Sequence, residues 1–442
     1  MKLIYVPFCF YPDPVGGTEV YVETLARQQQ EQGDEVVVAA PGIHDDAYWH
    51  GDLRVRRFAV SEHVGDLREL YGEGDRQAAQ AFGRILDAER PDLVHLHAFT
   101  RGVSLRLVRE AKRRDIPVVF SYHTPTVSCQ RGTLLRWGTD VCDGLLDVRT
   151  CARCTLQGHG LNRPASLAVG TLPTGVGRLL GGVGASGGMW TALRMTELVE
   201  LRHAAFRKLM VEVDHVIALC QWVKELLLRN GVAPEKVTVS RQGLCQVWSQ
   251  PNQQPRQSGP LRVAFLGRLD ANKGAHVLIQ ALRGIPQAAV KLDIYGVVQG
   301  EAGSSYLQRL KRLAAGDTRI AFHDPIPAED VVARLCEYDL LAVPSQCLET
   351  GPMVVLEAFA AGIPVIGSNL GGIAELVEHD VSGVLVDQHS VEAWGKALHT
   401  LSSDRGFLAK LRSGSRPPRS IRESAWEMQT VYTEILQARV LA

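Results

Sequence analysis

The chain has 442 residues, of which 45% are hydrophobic and 22% are charged, so it is long enough for two or three globular domains. Lysine plus arginine number 48 and aspartate plus glutamate number 48, which makes the formal net charge zero. This balance argues against a nucleic-acid-binding protein, because such proteins carry a strongly basic surface.

The first residues predict the start of a parallel α/β domain. MKLIYVPFCF favours a strand over a leader peptide because no small-residue cleavage site follows it, and no apolar run in the chain reaches the length of a membrane span. The helical pattern VYVETLARQQQEQG and the strand pattern EVVVAAP come next. Gly16 and Gly17 lie in the first strand-to-helix loop, where open α/β sheets bind ligands. They indicate either a ligand-binding backbone or a tight turn.

Three histidines lie on the next two predicted strands, PDLVHLHAF and IPVVFSYHTP. His95 and His97 alternate along one strand and share a face, which is typical of satisfied core residues. His123 stands at the carboxyl end of its strand, the edge at which an open sheet holds its ligands. We therefore interpret His123 as a functional residue.

A cysteine-rich insert spans about residues 126–160. Cys129, Cys142, Cys151 and Cys154 have the spacing C-x12-C-x8-C-x2-C, and four thiolates suit tetrahedral zinc or an iron–sulfur cluster. His159 is an alternative ligand for one of the positions. The competing interpretation is four reduced thiols with no metal.

The middle of the chain contains an unusual apolar stretch and a linker. Residues 164–190 are rich in glycine, carry only Arg178 as a charge, and contain a proline that argues against a spanning helix. They favour equally contact with a membrane or a greasy acceptor, or a mobile lid. The polar residues 248–260 predict a linker. It would separate an N-terminal domain, 1–247, from a C-terminal domain, 261–417, with residues 418–442 forming a helix that packs back on the first domain.

The second half restarts as alternating strands and helices. LRVAFLGR is a strand and AHVLIQAL a helix, and Arg268 and Lys273 flank the turn between them. Two cations at such a turn, one of them with a guanidinium fork, suit a diphosphate. The alternative is two solvated surface charges.

One stretch, SQCLETGPMVVLEAFAAG, predicts a buried helix that carries a carboxylate. Thr350 is the predicted N-cap, with the helix ending near Gly362. Glu357 is the one charge on an apolar helix, which is costly unless it is paired. Glu349 lies just ahead of the helix, beside amides that form an anion site. An ordinary buried helix is the alternative.

Three segments, LGRLDANKG, ETGPMVVLEAFAAGIPVIGS and GGIAELV, stand in an order that closely resembles the retaining glycosyltransferases of family 4. That resemblance covers nearly the whole chain. It implies a GT-B fold, in which two Rossmann-like α/β domains face each other across a cleft that holds a nucleotide-sugar. The positions that match the family motifs are Glu349 and Glu357 (E-x7-E), Arg268 and Lys273 (R-x4-K), Gly16 and Gly17, and His123.

The resemblance implies a role for each matched position. Arg268 and Lys273 would bind the diphosphate of a UDP- or GDP-sugar, and Glu357 would bind the ribose. Glu349 would contact the donor sugar, beside amides from Gly351 onward. Those amides include Met353 and Val354. His123, Gly16 and Gly17 would line the reacting face. The glycine-rich turn is IYGVVQG, which departs from the usual G-x-G and leaves the contacts to the base open.

The resemblance also implies the reaction. A sugar would pass with retention to a hydroxyl of a glycan, a lipid-linked acceptor or a small molecule, in cytoplasmic polysaccharide or glycoconjugate biosynthesis, with peripheral membrane contact as an option. A phosphate oxygen would take the proton, transfer would need no metal, and any metal at the cysteines would be structural. The alternatives are a GT-B epimerase or hydrolase, or a non-catalytic nucleotide-sugar-binding scaffold.

Overall fold

The computed structural model describes residues 1–13, 16–62, 66–245 and 258–440. The chain forms two compact units, one of Met1–Arg241 with Ile421–Ala442 and the other of Gln242–Ser420. Most of the predicted linker, 248–260, falls outside the described residues. Both units are layered α/β structures built on parallel sheets, as the sequence predicts.

The first unit contains, in its described part, an eight-stranded sheet and a separate two-stranded hairpin. Its strands are β1 (Lys2–Val6), β2 (Glu35–Gly42), β3 (Asp46–His50), β4 (Leu53–Ala59), β5 (Leu93–Leu96), β6 (Val118–Tyr122), β7 (Leu135–Arg136), β8 (Asp140–Val141), β9 (His215–Ala218) and β10 (Val237–Val239). The sheet has the order β10-β9-β6-β5-β1-β2-β4-β3 and is parallel except for the antiparallel edge pair β3–β4. The hairpin is β7–β8.

Helices cover both faces of this sheet, as the apolar runs of its central strands require. The helices of the first unit before the linker are α1 (Gly17–Glu31), α2 (Leu67–Tyr71), α3 (Arg76–Glu89), α4 (Leu105–Lys112), α5 (Val148–Gly158), α6 (Arg163–Val169), α7 (Thr174–Gly182), α8 (Gly188–Leu193), α9 (Met195–Glu212) and α10 (Gln221–Arg229). Short 3-10 turns are formed by Pro125–Val127 and Pro234–Lys236.

The second unit has, among its described residues, a six-stranded sheet in which every pair is parallel. Its strands are β11 (Leu261–Arg268), β12 (Val290–Val297), β13 (Ile320–His323), β14 (Leu340–Val343), β15 (Val365–Ser368) and β16 (Gly383–Val386), in the order β13-β12-β11-β14-β15-β16. Its helices are α11 (Ala275–Arg283), α12 (Gly300–Ala314), α13 (Val331–Leu335), α14 (Met353–Ala360), α15 (Gly371–Leu376), α16 (Val391–Ser403) and α17 (Arg405–Gly414), with 3-10 turns at Ala271–Lys273 and Ala328–Asp330.

The last helix, α18 (Ile421–Val440), belongs to the first unit. Its side chains Ile421, Met428 and Tyr432 are buried in the same core cluster as β1 and β2. The Tyr432 hydroxyl lies 2.6 Å from His95 Nδ1, and the buried Gln29 amide donates to the Ala425 carbonyl at 3.0 Å. The first unit is therefore discontinuous in sequence, and the second unit is inserted between its two segments.

The predicted N-cap of α14 is wrong. Pro352 takes that position with extended backbone angles and no side-chain cap, so the chain becomes helical only at Met353. Gly351, which has φ +143°, separates Thr350 from the helix. The end is as predicted, since Gly362 adopts φ +68° just after Ala360.

The apolar stretch 164–190 forms three short helices, α6, α7 and α8, where the sequence predicts either a surface-binding segment or a mobile lid. Helices α7 and α8 both contact α9. Within the described residues, no helix combines the length and the apolarity that crossing a bilayer requires.

Candidate active site

The turn that carries Lys273 is fixed by the side chain of Asp270. The Asp270 carboxylate accepts the N–H groups of Asn272 and Lys273 at 2.8 and 3.2 Å, closing the turn after β11. Gly274 follows with φ +74°, and a Cβ there would lie 1.9 Å from the Pro344 carbonyl oxygen. Only glycine permits this approach, which brings the turn after β11 against the loop after β14.

Lys273 and Glu349 form a close ion pair. The Lys273 Nζ lies 2.6 Å from Glu349 Oε1, and the Ser345 hydroxyl donates to the same oxygen at 2.9 Å. Burial alone would raise the pKa of the Glu349 carboxyl, but the charge of Lys273 and these hydrogen bonds lower it. Burial would likewise lower the pKa of the Lys273 ammonium, but the charge of Glu349 raises it. Both groups are therefore charged at neutral pH.

Arg268 provides a second cation at the same edge of the sheet. Its side chain is 54% exposed, and its Nε lies 3.6 Å from the Asp270 carboxylate. Its charge also contributes to the lowered pKa of Glu349. An exposed guanidinium beside a fixed ammonium suits an anionic ligand with two phosphates.

The loop between Glu349 and α14 is held by a pair of glycines. The Gly372 N–H donates to the Glu349 carbonyl at 2.6 Å, and a Cβ on Gly372 would lie 2.7 Å from the Gly351 nitrogen. The two glycines of GGIAELV therefore allow α15 to approach this loop. Met353 and Val354 begin α14, in the first turn, where amides have no intrahelical partner.

Glu357 lies in α14, and its carboxylate has no salt-bridge or hydrogen-bond partner among the residues that the structure describes. Its side chain is partly buried, and burial raises the pKa of this carboxyl to about 7. Lone buried carboxylates are unfavourable, so the position suits a ligand that donates hydrogen bonds.

His123 follows β6 in the first unit and is buried. Its Nε2 lies 2.9 Å from His97 Nδ1, and its ring centroid is 5.8 Å from that of Tyr21. Burial lowers the pKa of His123 to about 3, so the imidazole is neutral at physiological pH. A neutral imidazole can donate from one nitrogen and accept at the other.

The three strand histidines have different surroundings. His95 is a satisfied core residue, since it contacts the hydroxyls of Tyr432 and Ser121 at 2.6 and 2.8 Å. His97 instead contacts His123, a relation that the sequence analysis missed. Strand alternation places His95 and His97 on one face, but it contains no signal for which neighbouring strand each ring meets.

Gly16 and Gly17 stand at the start of α1. The Gly16 N–H donates to the Glu19 carboxylate at 2.9 Å, and Gly17 opens the helix. Arg57 of β4, another residue that sequence reasoning missed, braces the preceding loop by donating to the Phe10 carbonyl at 2.6 Å and to the Asp13 carboxylate at 2.8 Å.

Arg202 of α9 was also missed. Its guanidinium donates to the carbonyls of Phe99 and Thr126 at 3.2 and 2.8 Å, which joins the segments after β5 and β6. Burial lowers the pKa of Arg202 to about 10, so it stays charged. Its spacing on α9 gives no hint of these partners.

Two of the four cysteines flank the β7–β8 hairpin, and the other two lie on α5. Cys129 precedes the hairpin, Cys142 follows it, and Cys151 and Cys154 are one turn apart on α5. Burial raises the pKa of the Cys151 thiol to about 12, and the other three lie near enough to add to that rise. All are free thiols, and within the described ranges no three His, Cys, Asp or Glu side chains are arranged to hold a metal ion. The predicted metal site is therefore not supported by this geometry.

Comparison with known proteins gives two domain matches that together cover most of the chain. Residues 16–243 match the family model of the glycosyl transferase 4-like domain, and residues 246–416 match that of glycosyl transferases group 1. A D-inositol 3-phosphate glycosyltransferase from Xylanimonas cellulosilytica is 27% identical over 96% of this chain and 93% of its own length. The enzyme of the same name from Salinispora tropica is 38% identical over 37% of this chain and 35% of its own.

Solved structures share the fold at low sequence identity. Sucrose-phosphate synthase from Thermosynechococcus elongatus has a TM-score of 0.67 at 18% identity, over 99% of this chain and all of that one. Anabaena Alr3699/HepE, in complex with UDP and glucose, has a TM-score of 0.63 at 17% identity, over 98% of this chain and all of that one.

Two parallel α/β units, with charged groups after β11 and β14 of the second, define a glycosyltransferase of the GT-B fold. The chain belongs to the family 4, group 1 glycosyltransferases, and it is an enzyme. The predictions of family, fold and enzyme class are thereby confirmed.

Proposed function

We propose that this glycosyltransferase transfers a hexose, with retention, from a UDP- or GDP-sugar to a hydroxyl of a glycan, lipid-linked or small-molecule acceptor. The observation that carries the proposal is the lone carboxylate of Glu357, which lies on the helix that follows Glu349 of the Lys273–Glu349 pair. Burial raises the pKa of this carboxyl to about 7. Two ribose hydroxyls supply the hydrogen-bond donors that this carboxylate lacks. The UDP complex of Alr3699/HepE supports a uridine donor.

The charged groups of the second unit bind different parts of the donor. Arg268 and Lys273 bind the diphosphate and neutralise charge as it leaves, while Glu349 orients the sugar beside the amides of Gly351, Met353 and Val354. Because Glu349 is itself paired with Lys273, it holds the ammonium in place for the phosphate. A phosphate oxygen of the leaving group takes the acceptor proton.

The first unit contributes His123 and the Gly16–Gly17 turn. A neutral His123 donates a hydrogen bond to a sugar hydroxyl, and His97 fixes which nitrogen carries the proton. The Gly16 and Gly17 backbone approaches the donor without side-chain obstruction. We place the enzyme in a reducing, cytoplasmic compartment, a proposal supported by nine cysteines that form no disulfide in the part of the chain that the structure describes.

A panel of UDP-, GDP- and ADP-hexoses, titrated calorimetrically, tests the donor class. We expect one UDP- or GDP-sugar to bind, and Glu357→Gln to weaken it at least tenfold while the exposed Glu392→Gln leaves it unchanged. Equal donor affinity in both variants would contradict the proposed contact between Glu357 and the ribose. Donor turnover with and without sugar acceptors separates transfer from hydrolysis, and the anomeric configuration of the product tests retention.

The cofactor prediction is separate from transfer. Zinc, or an iron–sulfur cluster, at Cys129, Cys142, Cys151 and Cys154 remains a prediction, supported by four neighbouring thiols and opposed by their present arrangement. Elemental analysis of the purified protein and of a Cys151→Ser, Cys154→Ser variant tests it. Transfer itself is expected to survive a chelator such as EDTA, because no proposed step uses a metal.

A further inference from the structure

Helix α7 is packed with its small residues inward and its large apolar residues outward. Gly177 is buried against α9, where a Cβ would lie 2.6 Å from the Glu197 Cβ. Gly181, one turn later, leaves equally little room, since a Cβ there would lie 2.6 Å from Arg194 Nη2. Leu179 of the helix and Val183, the residue just after it, are 76% and 81% exposed. This orientation is the reverse of the usual amphipathic surface helix.

A buried ionic network fixes α7 in this orientation. Arg194, the residue just before α9, and Glu197 of α9 are paired at 3.0 Å with side chains 3% and 2% exposed, and Arg68 contacts Glu197 at 2.9 Å. Arg194 donates to the Ala185 carbonyl at 2.9 Å, and Arg68 donates to the Arg178 carbonyl at 3.2 Å. These two arginines therefore hydrogen-bond the backbone on both sides of Val183. These bonds fix the orientation in which the apolar side chains point outward.

Large apolar side chains are also exposed on the helices before and after α7. Among the described residues, sixteen large apolar side chains are exposed, and six of them fall between residues 167 and 190. We call these six the apolar face: Leu167, Val176, Leu179, Val183, Met189 and Trp190. Such a concentration is typical of an interaction surface, whereas single exposed apolar residues are ordinary.

The stretch of sequence that carries this face has basic residues but no acidic ones. Residues 148–196 contain five arginines and no aspartate or glutamate, although the whole chain has equal numbers of both signs. Arg149 and Arg163 are exposed, and Arg178, 62% exposed, is paired with Glu200 at 2.6 Å. Arginine and tryptophan beside an apolar helix face match the headgroup region of a bilayer that carries negative lipids.

We propose that the apolar face docks the enzyme on an anionic membrane surface, with α7 lying in the plane of the interface. Leucine and valine side chains enter the acyl boundary while exposed arginines meet lipid phosphates. A second copy of the chain is disfavoured as the occupant because it would bring two arginine-bordered faces together. Docking rests on this surface alone, and it deepens the proposed function by selecting lipid-linked hydroxyls among the candidate acceptors.

Vesicle sedimentation of the full chain tests the docking, without any sugar donor. The probes are vesicles of phosphatidylcholine alone and of phosphatidylcholine with 30% phosphatidylglycerol. We expect partition into the anionic vesicles at least tenfold above that into neutral ones, falling in 0.5 M sodium chloride. Leu179→Ser with Val183→Ser should reduce the anionic partition at least tenfold. Val211→Ser is the matched control, because Val211 is 74% exposed on α9.

Three outcomes would overturn the proposal: no binding to anionic vesicles, equal binding to both compositions, or unchanged binding by the double variant. A double variant that converts a wild-type dimer into a monomer, with vesicle binding weak in both, would instead assign the face to a second copy. Donor affinity of the double variant, measured in vesicle-free buffer, should equal that of wild type. If the wild type does not bind any nucleotide-sugar donor, the proposed function is refuted, and the docking result is unaffected.

Discussion

Glu357 is partly buried and His123 is buried, and burial shifts the pKa values of the two side chains in opposite directions. Burial raises the pKa of Glu357 to about 7 and lowers that of His123 to about 3. In both cases burial favours the neutral form. The two residues therefore make the stability of the protein depend on pH with opposite signs.

Replacing Glu357 by glutamine should stabilise the free enzyme at alkaline pH. The folded carboxyl has a pKa above its unfolded value, so it favours folding below pH 4.5, and that contribution disappears as the pH rises through 7. At pH 8 the variant should gain up to roughly 3 kcal/mol in the free energy of unfolding, and at pH 4 almost nothing. Denaturant titrations at both pH values measure the difference. An equal effect at pH 4 and pH 8 would contradict it, and Glu392→Gln provides the control.

The three buried histidines should make the protein less stable in mild acid. The pKa values of His95, His97 and His123 all lie below the usual value because burial disfavours the charged ring. The unfolded chain takes up these protons as the pH falls below about 6.5, so each site costs up to about 1.4 kcal/mol per pH unit. The unfolding midpoint of the first unit should fall between pH 6.5 and 4, and less steeply in His123→Asn. Identical slopes would show that His123 does not contribute.

Arg268→Ala and Lys273→Ala should separate ligand binding from stability. Both variants should lose about 1.5–3 kcal/mol of donor binding, which is the value of a charge-assisted hydrogen bond. Only Lys273→Ala should also destabilise the fold, by roughly 3 kcal/mol, because it removes the cation paired with Glu349, whose side chain is only 15% exposed. Arg268 is 54% exposed, so its loss should hardly change the melting temperature. Calorimetry and thermal unfolding of the two variants test this contrast.

At the scale of an element, the turn between β11 and α11 depends on Gly274. Gly274→Ala places a methyl group 1.9 Å from the Pro344 carbonyl oxygen on a backbone with φ +74°, so we expect a loss of at least about 3 kcal/mol and of donor binding. Gly316→Ala is the control, because Gly316 has φ +83° but no atom within 4 Å of the added group. It should cost about 1 kcal/mol. Similar losses in both variants, measured by denaturant unfolding, would mean that the close approach to Pro344 is not decisive.

The sequence predicts strands better than the small elements between them. Runs such as LLAV and VVFSY are short, apolar and buried on both faces, so period and composition identify them as central strands. The helices α6, α7 and α8 were not predicted, because glycine weakens every local helix signal in 164–190. Helices α7 and α8 form against α9, and α6 forms against α5. Such tertiary contacts leave no local pattern in the sequence.

The candidate site was predictable to the extent that its residues lie within motifs. Arg268, Lys273, Glu349 and Glu357 follow from the resemblance and from the edge at which parallel sheets bind ligands, and their proposed roles remain predictions. The supporting residues Arg57, His97 and Arg202 were not predictable. Each acts on atoms far away in sequence, and a single sequence does not show which side chains meet across the fold.

At the scale of the molecule, removing α18 should unfold the first unit and spare the second. Ile421, Met428 and Tyr432 are buried in the first unit's core, and each contributes about 1.5–3 kcal/mol. Truncation after Ser420 should therefore abolish amide-exchange protection in the central strands of 1–241 while strands of 258–420 keep theirs. Mass-spectrometric hydrogen exchange resolves the two regions. Trp426→Ala, on the exposed side of α18, should change neither, and retained protection in the truncated chain would contradict the prediction.

The return of α18 to the first unit has a consequence for biosynthesis. Residues 1–241 leave the ribosome long before Tyr432 is synthesised. Part of the core of the first unit therefore stays exposed to water while the second unit is synthesised. The second unit, continuous in sequence, can fold during that interval. A translation pause at any codon between 242 and 420 should therefore prolong the period in which this enzyme depends on chaperones.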